Sequence, residues 1–441
     1  MAKVKKIVVV GAGSMCFGGS IVKDLAAFAR HLRGSTVVLV DINEDALRKI
    51  GALMHRVCGK NYRIEQTTEL AEALPGAEFV LNSVAVSRNE MWRHDFEIPI
   101  KHGLRQSLGE NGGPGGVFFT MRTIPLVVDI ARRVSTICPK ALLINYSNPE
   151  SRIVCALGRL FPQMSQLGLC HGIFIGQDWV ASVLGRKDAA GNVDKKSVDV
   201  WGYGVNHFQW LMDIRDHKDG RDLYPELREA ERRMRDERAA QGIPHWDPIA
   251  TDLFREFGYW PTVCSTHIGE FLPYGAEYEV DFSCIDNADQ QAKWFWDSVN
   301  KAIDPRIPLD PDWRRPSGEQ GVVIIDAIVH NRHTFIESGV VYNRGALEPF
   351  PYDCAVEMPI LADASGVHPV ALGRPFPTHL ARKLMPIVTA QQFAVDAAIA
   401  GTREAAWQAF VSDPIVHTHR GAIAAFDELW EINKQYIRPC D

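Results

Sequence analysis

The sequence lacks the features that would place the protein in a membrane, on nucleic acid or outside the cell. No apolar stretch approaches the roughly 20 residues that span a bilayer. The basic start runs directly into an apolar strand and a glycine turn, without the longer apolar region and cleavage site of a signal peptide. The formal net charge of −6 over 441 residues offers no basic surplus for nucleic acid or an anionic membrane. We therefore expect no nucleic-acid partner and no membrane partner.

Paired cysteines are also missing. The nine cysteines are odd in number and scattered, and no two of them form a CxxC pair. A disulfide framework is therefore not expected, and a reduced, cytoplasmic protein is the better interpretation. The sequence is 46% hydrophobic and 23% charged, which is the composition of an ordinary globular protein.

Apolar strand patterns alternate with helical patterns over the first 150 residues. The predicted strands are Val4–Val10, Thr36–Val40, Ala77–Val84 and Ala141–Asn145. The predicted helices between them are Ser20–Leu32, Glu44–Val57 and Thr123–Ile137. Short apolar strands separated by amphipathic helices are typical of a parallel, doubly wound sheet. We predict an α/β protein with an N-terminal Rossmann-type dinucleotide-binding domain over residues 1–195 and a mixed α+β C-terminal domain over residues 196–441.

A glycine turn follows the first predicted strand directly. Gly11 permits a tight turn, and Gly13 lets the backbone approach a pyrophosphate at the N-terminus of the next helix, beside Ser14 and Met15. The usual third glycine of this fingerprint is replaced by Cys16, so the motif is incomplete. Its position between a strand and a helix nevertheless favours a dinucleotide site.

The second predicted strand ends in Asp41, whose carboxylate is suited to bind a ribose 2′-hydroxyl and to repel a 2′-phosphate. NAD is therefore favoured over NADP, although Asp41 lies further along the chain than the common spacing of about 20 residues. A second interpretation stays open. In that interpretation the glycines only form a tight turn and Asp41 caps the next helix.

Cysteine and histidine end two strand patterns in the middle of the chain. Cys170, His171 and Gly172 follow one apolar run, and Asn206 and His207 follow another. A thiolate and an imidazole at two strand ends can hold one divalent metal ion and leave positions for substrate oxygens and water. Two protein ligands are too few for a structural zinc site, which indicates catalysis. Taken singly, each residue also fits an inert buried cysteine or a hydrogen-bonded histidine.

Three further signals are weaker. Asn148 closes a strand at the edge where open α/β sheets bind ligands, and it is either a sugar ligand or a turn residue before Pro149. Arg122 is suited to bind a substrate hydroxyl or carboxylate, or it is a surface arginine. The glycine-rich segment 109–116 is either a loop that closes over a ligand or a mobile connection.

In combination, these segments resemble glycoside hydrolase family 4, the NAD- and metal-dependent glycosidases. The matching segments follow one another in the family's order over nearly the whole chain. They are Val8–Ser14, the glycine-rich segment leading into Met121–Pro125, Asn145–Pro149, Cys170–Ile173, Gly204–His207, Asn343–Gly345, Val356–Pro359 and Asp413-Pro414.

The resemblance implies hydrolysis by a redox route. Bound NAD⁺ would remove hydride from C3 of the sugar, a base would remove the acidified C2 proton, and the aglycone would leave C1 by elimination before water adds and hydride returns. A divalent metal ion, Mn²⁺ by family expectation, would be held by Cys170 and His207 and stabilise the enediolate. Asn148, Asn206, Arg122 and Arg93 would bind the substrate. A homodimer or homotetramer is usual in the family.

The residues after the metal-binding cysteine vary with activity in this family, and Cys-His-Gly accompanies α-glucuronidases and related uronidases. We therefore expect an α-glucuronide or α-galacturonide substrate, with Gly172 opening room and Arg88, Arg93 or Arg122 pairing with the C6 carboxylate. An α-glucosidase or α-galactosidase of the same family is the alternative. From another class, a plain NAD-dependent sugar dehydrogenase fits the same motifs, and a dinucleotide-sensing regulator is a further rival.

The base and the leaving-group acid are the least defined assignments. The family takes its base from a loop beyond the metal-binding histidine, and this chain has Ser265-Thr266 where an acidic residue is expected. His267 is therefore the candidate base, with Tyr259, Tyr274 or a metal-bound hydroxide as alternatives. His171, next to the metal-binding cysteine, is the candidate acid.

Overall fold

A single sheet runs through the molecule in the computed structural model, which describes residues 4–278 and 283–440. Its strands are β1 Lys6–Val10, β2 Thr36–Val40, β3 Arg63–Thr67, β4 Phe79–Asn82, β5 Leu142–Asn145, β6 Gln166–Gly168, β7 Val198–Val205, β8 Phe208–Asp216, β9 Pro261–Thr262, β10 Thr334–Tyr342, β11 Ala355–Asp363 and β12 Gly366–Pro369.

The helices flank this sheet and are mostly amphipathic. They are α1 Gly18–Ala27, α2 Glu44–Cys58, α3 Leu70–Ala73, α4 Arg88–Lys101, α5 Gly113–Ile137, α6 Glu150–Leu160, α7 Gly172–Val183, α8 Tyr224–Ala240, α9 Pro248–Phe257, α10 Ser265–Gly269, α11 Gly275–Tyr278, α12 Cys284–Ile303, α13 Gly321–His330, α14 Thr378–Ala400, α15 Arg403–Ser412 and α16 His419–Asn433.

The first half of the sheet is parallel and has the strand order β3-β2-β1-β4-β5-β6 of a doubly wound dinucleotide-binding fold. The second half, β10-β11-β7-β8-β9, is antiparallel and joins the first through the β6–β10 pair. The predicted fold class is therefore confirmed.

The hydrophobic cores contain residues from both halves of the chain. On one face of the parallel strands, Phe118 of α5 packs against Phe410 of α15 and Phe426 of α16, with ring centroids 6.0 and 5.5 Å apart. The C-terminal helices therefore cover strands from the start of the chain. The boundary between residues 195 and 196 stays a prediction.

Two helices begin earlier than the sequence predicts. The helix expected at Thr123 begins at Gly113, so the second part of the glycine-rich segment is a buried first turn and not a mobile loop. A Cβ at Gly115 would lie 2.4 Å from the carbonyl oxygen of Asp95, so the glycines allow two backbones to touch. The helix expected at Ser20 begins at Gly18.

Within residues 4–278 and 283–440, no helix is long and apolar enough to cross a membrane. No disulfide bond joins any of the nine cysteines, all of which lie in the described part of the chain.

Candidate active site

The glycine turn between β1 and α1 is shaped by close backbone contacts. Gly11 has a φ of +77°, and a Cβ there would lie 2.6 Å from the carbonyl oxygen of Ser83. Gly13 donates its N–H to Oδ2 of Asp41 at 2.7 Å. In the described ranges the backbone N–H groups of Met15 and Cys16, just before α1, donate to no protein atom. A dinucleotide pyrophosphate fits such donors.

The third glycine of the fingerprint is replaced in function by Gly18. A Cβ at Gly18 would lie 2.3 Å from the carbonyl oxygen of Ala12, so only glycine lets α1 pack so closely on the turn. The usual spacing of the fingerprint points to Cys16 and therefore does not reveal Gly18. The Gly18-Gly19 pair is the signal that could have revealed it.

His207 lies at the tip of the β7–β8 hairpin, in the two-residue turn Asn206-His207. Its φ is +67°, a left-handed conformation that glycine prefers and that a histidine side chain disfavours. The side chain is buried, and its Nδ1 has no hydrogen-bond partner among the described residues. Burial, followed by the nearby His267 and His171, lowers the pKa of His207 well below its usual value, so the ring is a neutral imidazole.

Cys170 lies just before α7, in contact with the same hairpin. Burial and then the Glu357 carboxyl raise the pKa of the Cys170 thiol well above its usual value, while hydrogen bonds from Gly172 and Asn206 act in the opposite direction. Asn206 also donates from Nδ2 to Oε2 of Glu357 at 3.0 Å. Cys170 itself is half-buried, and a thiol whose pKa is raised in this way becomes a thiolate only beside a positive charge.

Three side chains come within mutual metal-ligand distance, namely His207, His267 and Glu270. One ligand atom of each lies within 4.8 Å of the others, and the rings of His207 and His267 are 4.5 Å apart. Cys170, which the sequence analysis paired with His207, is not a member of this group. The pairing of Cys170 with His207 as metal ligands stays a prediction.

Glu270 is a buried residue that the sequence analysis missed. Its Oε1 lies 3.2 Å from Nδ1 of His267, and its Oε2 accepts the backbone N–H groups of Glu110, Asn111 and Gly112 at 2.6, 2.6 and 3.2 Å. Burial lowers the pKa of His267, but the hydrogen bond and charge of Glu270 outweigh it, and the net shift is upward. One carboxylate therefore holds both the His267 ring and the glycine-rich segment.

Glu110 connects this cluster to the dinucleotide turn. Its Oε1 accepts from Nη2 of Arg88 at 2.6 Å and lies 3.5 Å from Nδ2 of Asn148. Asn148 stands beyond the carboxyl end of β5, as predicted, and is half-buried. The charges of Arg88 and Glu110 both act on the thiol of Cys16. Glu110, Arg88 and Asn148 therefore lie between the His267–Glu270 pair and Cys16 of the dinucleotide turn.

Two arginines expected to meet the substrate have protein partners instead. Arg122 is buried, with Nη1 donating to Oδ1 of Asp95 at 3.0 Å and to Asn433 at 2.6 Å. Arg93 donates to Oδ1 of Asp286 at 2.9 Å on an exposed helix face. The guanidinium of Arg122 is therefore inaccessible, and the surface-arginine alternative for that residue is wrong as well.

Gly172 does not open room for a substrate. A Cβ at this position would lie 2.5 Å from Cγ2 of Val263, because the start of α7 packs tightly on that side chain. The expectation of free space beside Cys170 is therefore wrong. Gly172 instead allows close packing of α7.

His171 is the residue just before α7, and its 57% exposed side chain makes no capping hydrogen bond to the helix. Partial desolvation, followed by the nearby His267 and Lys195, lowers the pKa of its imidazole. Of the alternative bases, Tyr274 accepts a hydrogen bond from Nζ of Lys383 at 2.9 Å. Tyr259 packs its ring edge-on against Tyr224.

The donors fit the groups that the motifs imply. An unpartnered neutral imidazole nitrogen at His207 and the half-buried thiol of Cys170 suit a divalent metal ion of intermediate softness. The unpartnered N–H groups of Met15 and Cys16 just before α1 suit a dinucleotide.

Two family models together match most of the chain. Residues 6–186 match the model of family 4 glycosyl hydrolases, and residues 202–416 match the model of their C-terminal domain. The chain belongs to this family and is a glycosidase.

Individual relatives are similar over almost their whole length. An α-glucosidase of Erwinia rhapontici is 29% identical, over 93% of this chain and 94% of that protein. An α-galacturonidase of Thermoanaerobacter italicus is 28% identical, over 98% and 97%. The fold is similar to a 6-phospho-α-glucosidase from gut microorganisms, solved in complex with NAD and Mn²⁺, with a TM-score of 0.82, 21% identity, and coverage of 99% of this chain and 100% of that one.

Proposed function

We propose that the protein hydrolyses the glycosidic bond of an α-linked hexuronic acid, an α-galacturonide or α-glucuronide, by transient oxidation of the sugar, and that it acts in the reducing cytoplasm. The observation that carries the redox route is the continuity of the site. Arg88, Glu110, Glu270 and His267 reach His207 through successive contacts. At the other end, the charges of Arg88 and Glu110 act on the pKa of Cys16 in the dinucleotide turn. A glycosidase that used only two carboxylates would need no dinucleotide turn.

NAD bound at the turn would supply the hydride acceptor for C3 of the sugar, and a divalent metal ion, Mn²⁺ by family expectation, would supply the positive charge that stabilises the enediolate. The 6-phospho-α-glucosidase solved with NAD and Mn²⁺ supports this cofactor set. Gly11, Gly13, Ser14, Met15 and Asp41 would hold the dinucleotide. Cys170 and His207 would hold the metal.

The proposed chemistry assigns each polar side chain a task. His267 removes the C2 proton, and Glu270 orients its ring through Nδ1 so that Nε2 is the basic nitrogen. Asn148 and Asn206 bind sugar hydroxyls at the ends of their strands. His171 protonates the leaving oxygen.

The substrate class rests on the Cys-His-Gly sequence and on the α-galacturonidase relative. Of the three arginines predicted to bind the carboxylate, Arg88 is the one that is both partly exposed and beside the site. An α-glucosidase is the second candidate, and the Erwinia relative favours it.

Release of p-nitrophenol from a panel of glycosides tests the proposal. The panel contains the α-galacturonide, α-glucuronide, α-glucoside and α-galactoside, each with and without NAD⁺, Mn²⁺ and thiol reductant. We expect hydrolysis of a uronide that needs all three additives and leaves no net NADH. Preference for the α-glucoside would refute the substrate class, and NADH formed from free sugars without hydrolysis would indicate a sugar dehydrogenase.

A further inference from the structure

The hairpin turn that carries His207 is held by a buried side chain on a neighbouring strand. Oε2 of Glu357 in β11 accepts a hydrogen bond from Nδ2 of Asn206 at 3.0 Å, and the backbone N–H of His207 donates to the same carboxyl group. The backbone N–H of Asn206 donates to Oγ of Ser151 at 3.2 Å. Side chains that are distant in the sequence therefore hold both residues of the turn.

Glu357 is itself held by contacts within the sheet. Its strand lies between β10 and β7, where Glu357 pairs with Val340 on one side and with Gly204 on the other. The hydroxyl of Ser338 donates to its Oε1 at 2.6 Å, and Nε2 of Gln209 donates to Oγ of Ser338 at 3.2 Å. These contacts leave the carboxyl group of Glu357 little freedom to change its orientation.

No cation offsets the burial of this side chain. Glu357 is 2% exposed, and within residues 4–278 and 283–440 no lysine or arginine forms an ion pair with it. Burying an acidic side chain is costly, and an apolar residue would fill this position in the middle of the sheet at a lower cost. The place of this cost, directly beside the turn of His207, indicates a task in the site.

Asn206 extends the contact to the second predicted metal ligand. Its side-chain amide donates to the sulfur of Cys170 as well as to Glu357. Because the amide nitrogen carries two hydrogens, one amide serves both acceptors, and its orientation is then fixed. Glu357 therefore contacts His207 through the backbone and reaches Cys170 through Asn206.

We propose that Glu357 is a positioning residue, which holds the Asn206-His207 turn so that the imidazole of His207 and the sulfur of Cys170 face one metal ion. This inference rests on the proposed function, in which these two side chains hold the metal. Glu357 acts as a hydrogen-bond acceptor, so a side chain of the same shape with one oxygen facing the turn performs the same task. Residues behind the ligands of a metal site change its affinity by about 10- to 100-fold.

Two substitutions of similar size distinguish hydrogen-bond acceptance from the filling of space. Glu357→Gln keeps one oxygen for the turn and directs its amide nitrogen to Ser338, whereas Glu357→Met removes both oxygens. We expect Glu357→Met to weaken Mn²⁺ binding, measured by calorimetry, by at least about tenfold and Glu357→Gln to stay within about threefold of the wild type. Glu231→Met is the control, because Glu231 is a buried glutamate of α8 that pairs with Arg235, and it should leave Mn²⁺ affinity unchanged.

Equal losses in Glu357→Gln and Glu357→Met would overturn the proposal, because the charge of the side chain would then matter and not its acceptor oxygen. Unchanged affinity in both variants would overturn it as well. If Glu357→Met does not fold, Ser338→Ala replaces it, since this substitution removes the hydroxyl that donates to Oε1. We expect Ser338→Ala to weaken Mn²⁺ binding by about three- to tenfold, and an affinity equal to that of the wild type would contradict the proposal.

Hydrogen exchange of the metal-free protein separates this inference from the proposed function. If the wild type binds no Mn²⁺, the proposed metal site fails, and the exchange rates still test the positioning role. We expect the backbone amide of His207 to exchange at least about tenfold faster in Glu357→Met than in the wild type or in Glu357→Gln, while residues 198–201 at the far end of the hairpin keep their rates. Equal rates at His207 in all three proteins, or a parallel rise in both segments, would refute the positioning role.

Discussion

At the scale of single residues, His207 shows the clearest conflict between backbone preference and chemistry. A two-residue hairpin with a φ of +67° at its second position is a place for glycine, and the chain has a buried imidazole there. Conformational strain of this kind is retained where a side chain has a task that glycine cannot perform.

Comparison of His207→Gly with His207→Ala distinguishes the cost of the left-handed backbone in stability from the effect of losing the imidazole on metal binding. Both variants remove the imidazole, but only glycine accepts the left-handed conformation without a Cβ penalty. We expect the glycine variant to be more stable than the alanine variant by about 1 kcal/mol in urea unfolding. Both should lose at least about tenfold in Mn²⁺ affinity. Equal stabilities, or an alanine variant that keeps its metal, would contradict this account.

The sequence predicts the positions of Gly11, Asn148, Cys170 and His207 because each follows an apolar strand pattern. The structure places each of them just beyond the end of a strand, and their roles stay predictions. Glu270 was not predictable, because its backbone partners lie about 160 residues away and only the fold brings them together.

At the scale of elements, the start of α5 shows why a glycine-rich composition is a poor guide to secondary structure. A run of glycines indicates a loop when only local conformation is considered. Here the glycines form a helical turn because the backbone of α4 lies directly against it, and tertiary packing overrides propensity.

Gly115→Ala tests this packing. The new Cβ would lie 2.4 Å from the oxygen of Asp95 and 2.8 Å from that of Gly109, and neither backbone can move without disturbing the site. We expect a loss of about 2–3 kcal/mol in the free energy of unfolding. Gly51→Ala in α2 is the matched control, because its close neighbour is the flexible side chain of Gln66, and it should be neutral or stabilising. Similar effects of both substitutions would refute the packing argument.

At the scale of the whole molecule, the continuous sheet and the shared cores make the two halves of the chain depend on each other. The sequence predicted the doubly wound half from its alternating strands and helices. The sequence did not reveal that α15 and α16 pack on this half of the molecule. No local sequence pattern indicates which face of a sheet a distant helix will cover.

A fragment of residues 1–195 tests this dependence. Without the C-terminal helices, Phe118 and its neighbours on α5 lose the side chains that bury them. We expect the fragment to bind ANS and to lack a cooperative thermal transition, whereas the full chain melts cooperatively. A sharp transition in the isolated fragment would show that the N-terminal half folds independently.

The measurement that tests the central claim most directly is hydrolysis in D₂O with NAD⁺, Mn²⁺ and reductant, followed by NMR of the released sugar. Removal of the C2 proton and its return from solvent would place deuterium on C2 of the product, while hydrolysis by direct displacement exchanges no carbon-bound hydrogen. We predict deuterium at C2 in the sugar that the wild type releases. Released sugar that retains its original hydrogen at C2 would contradict the redox mechanism.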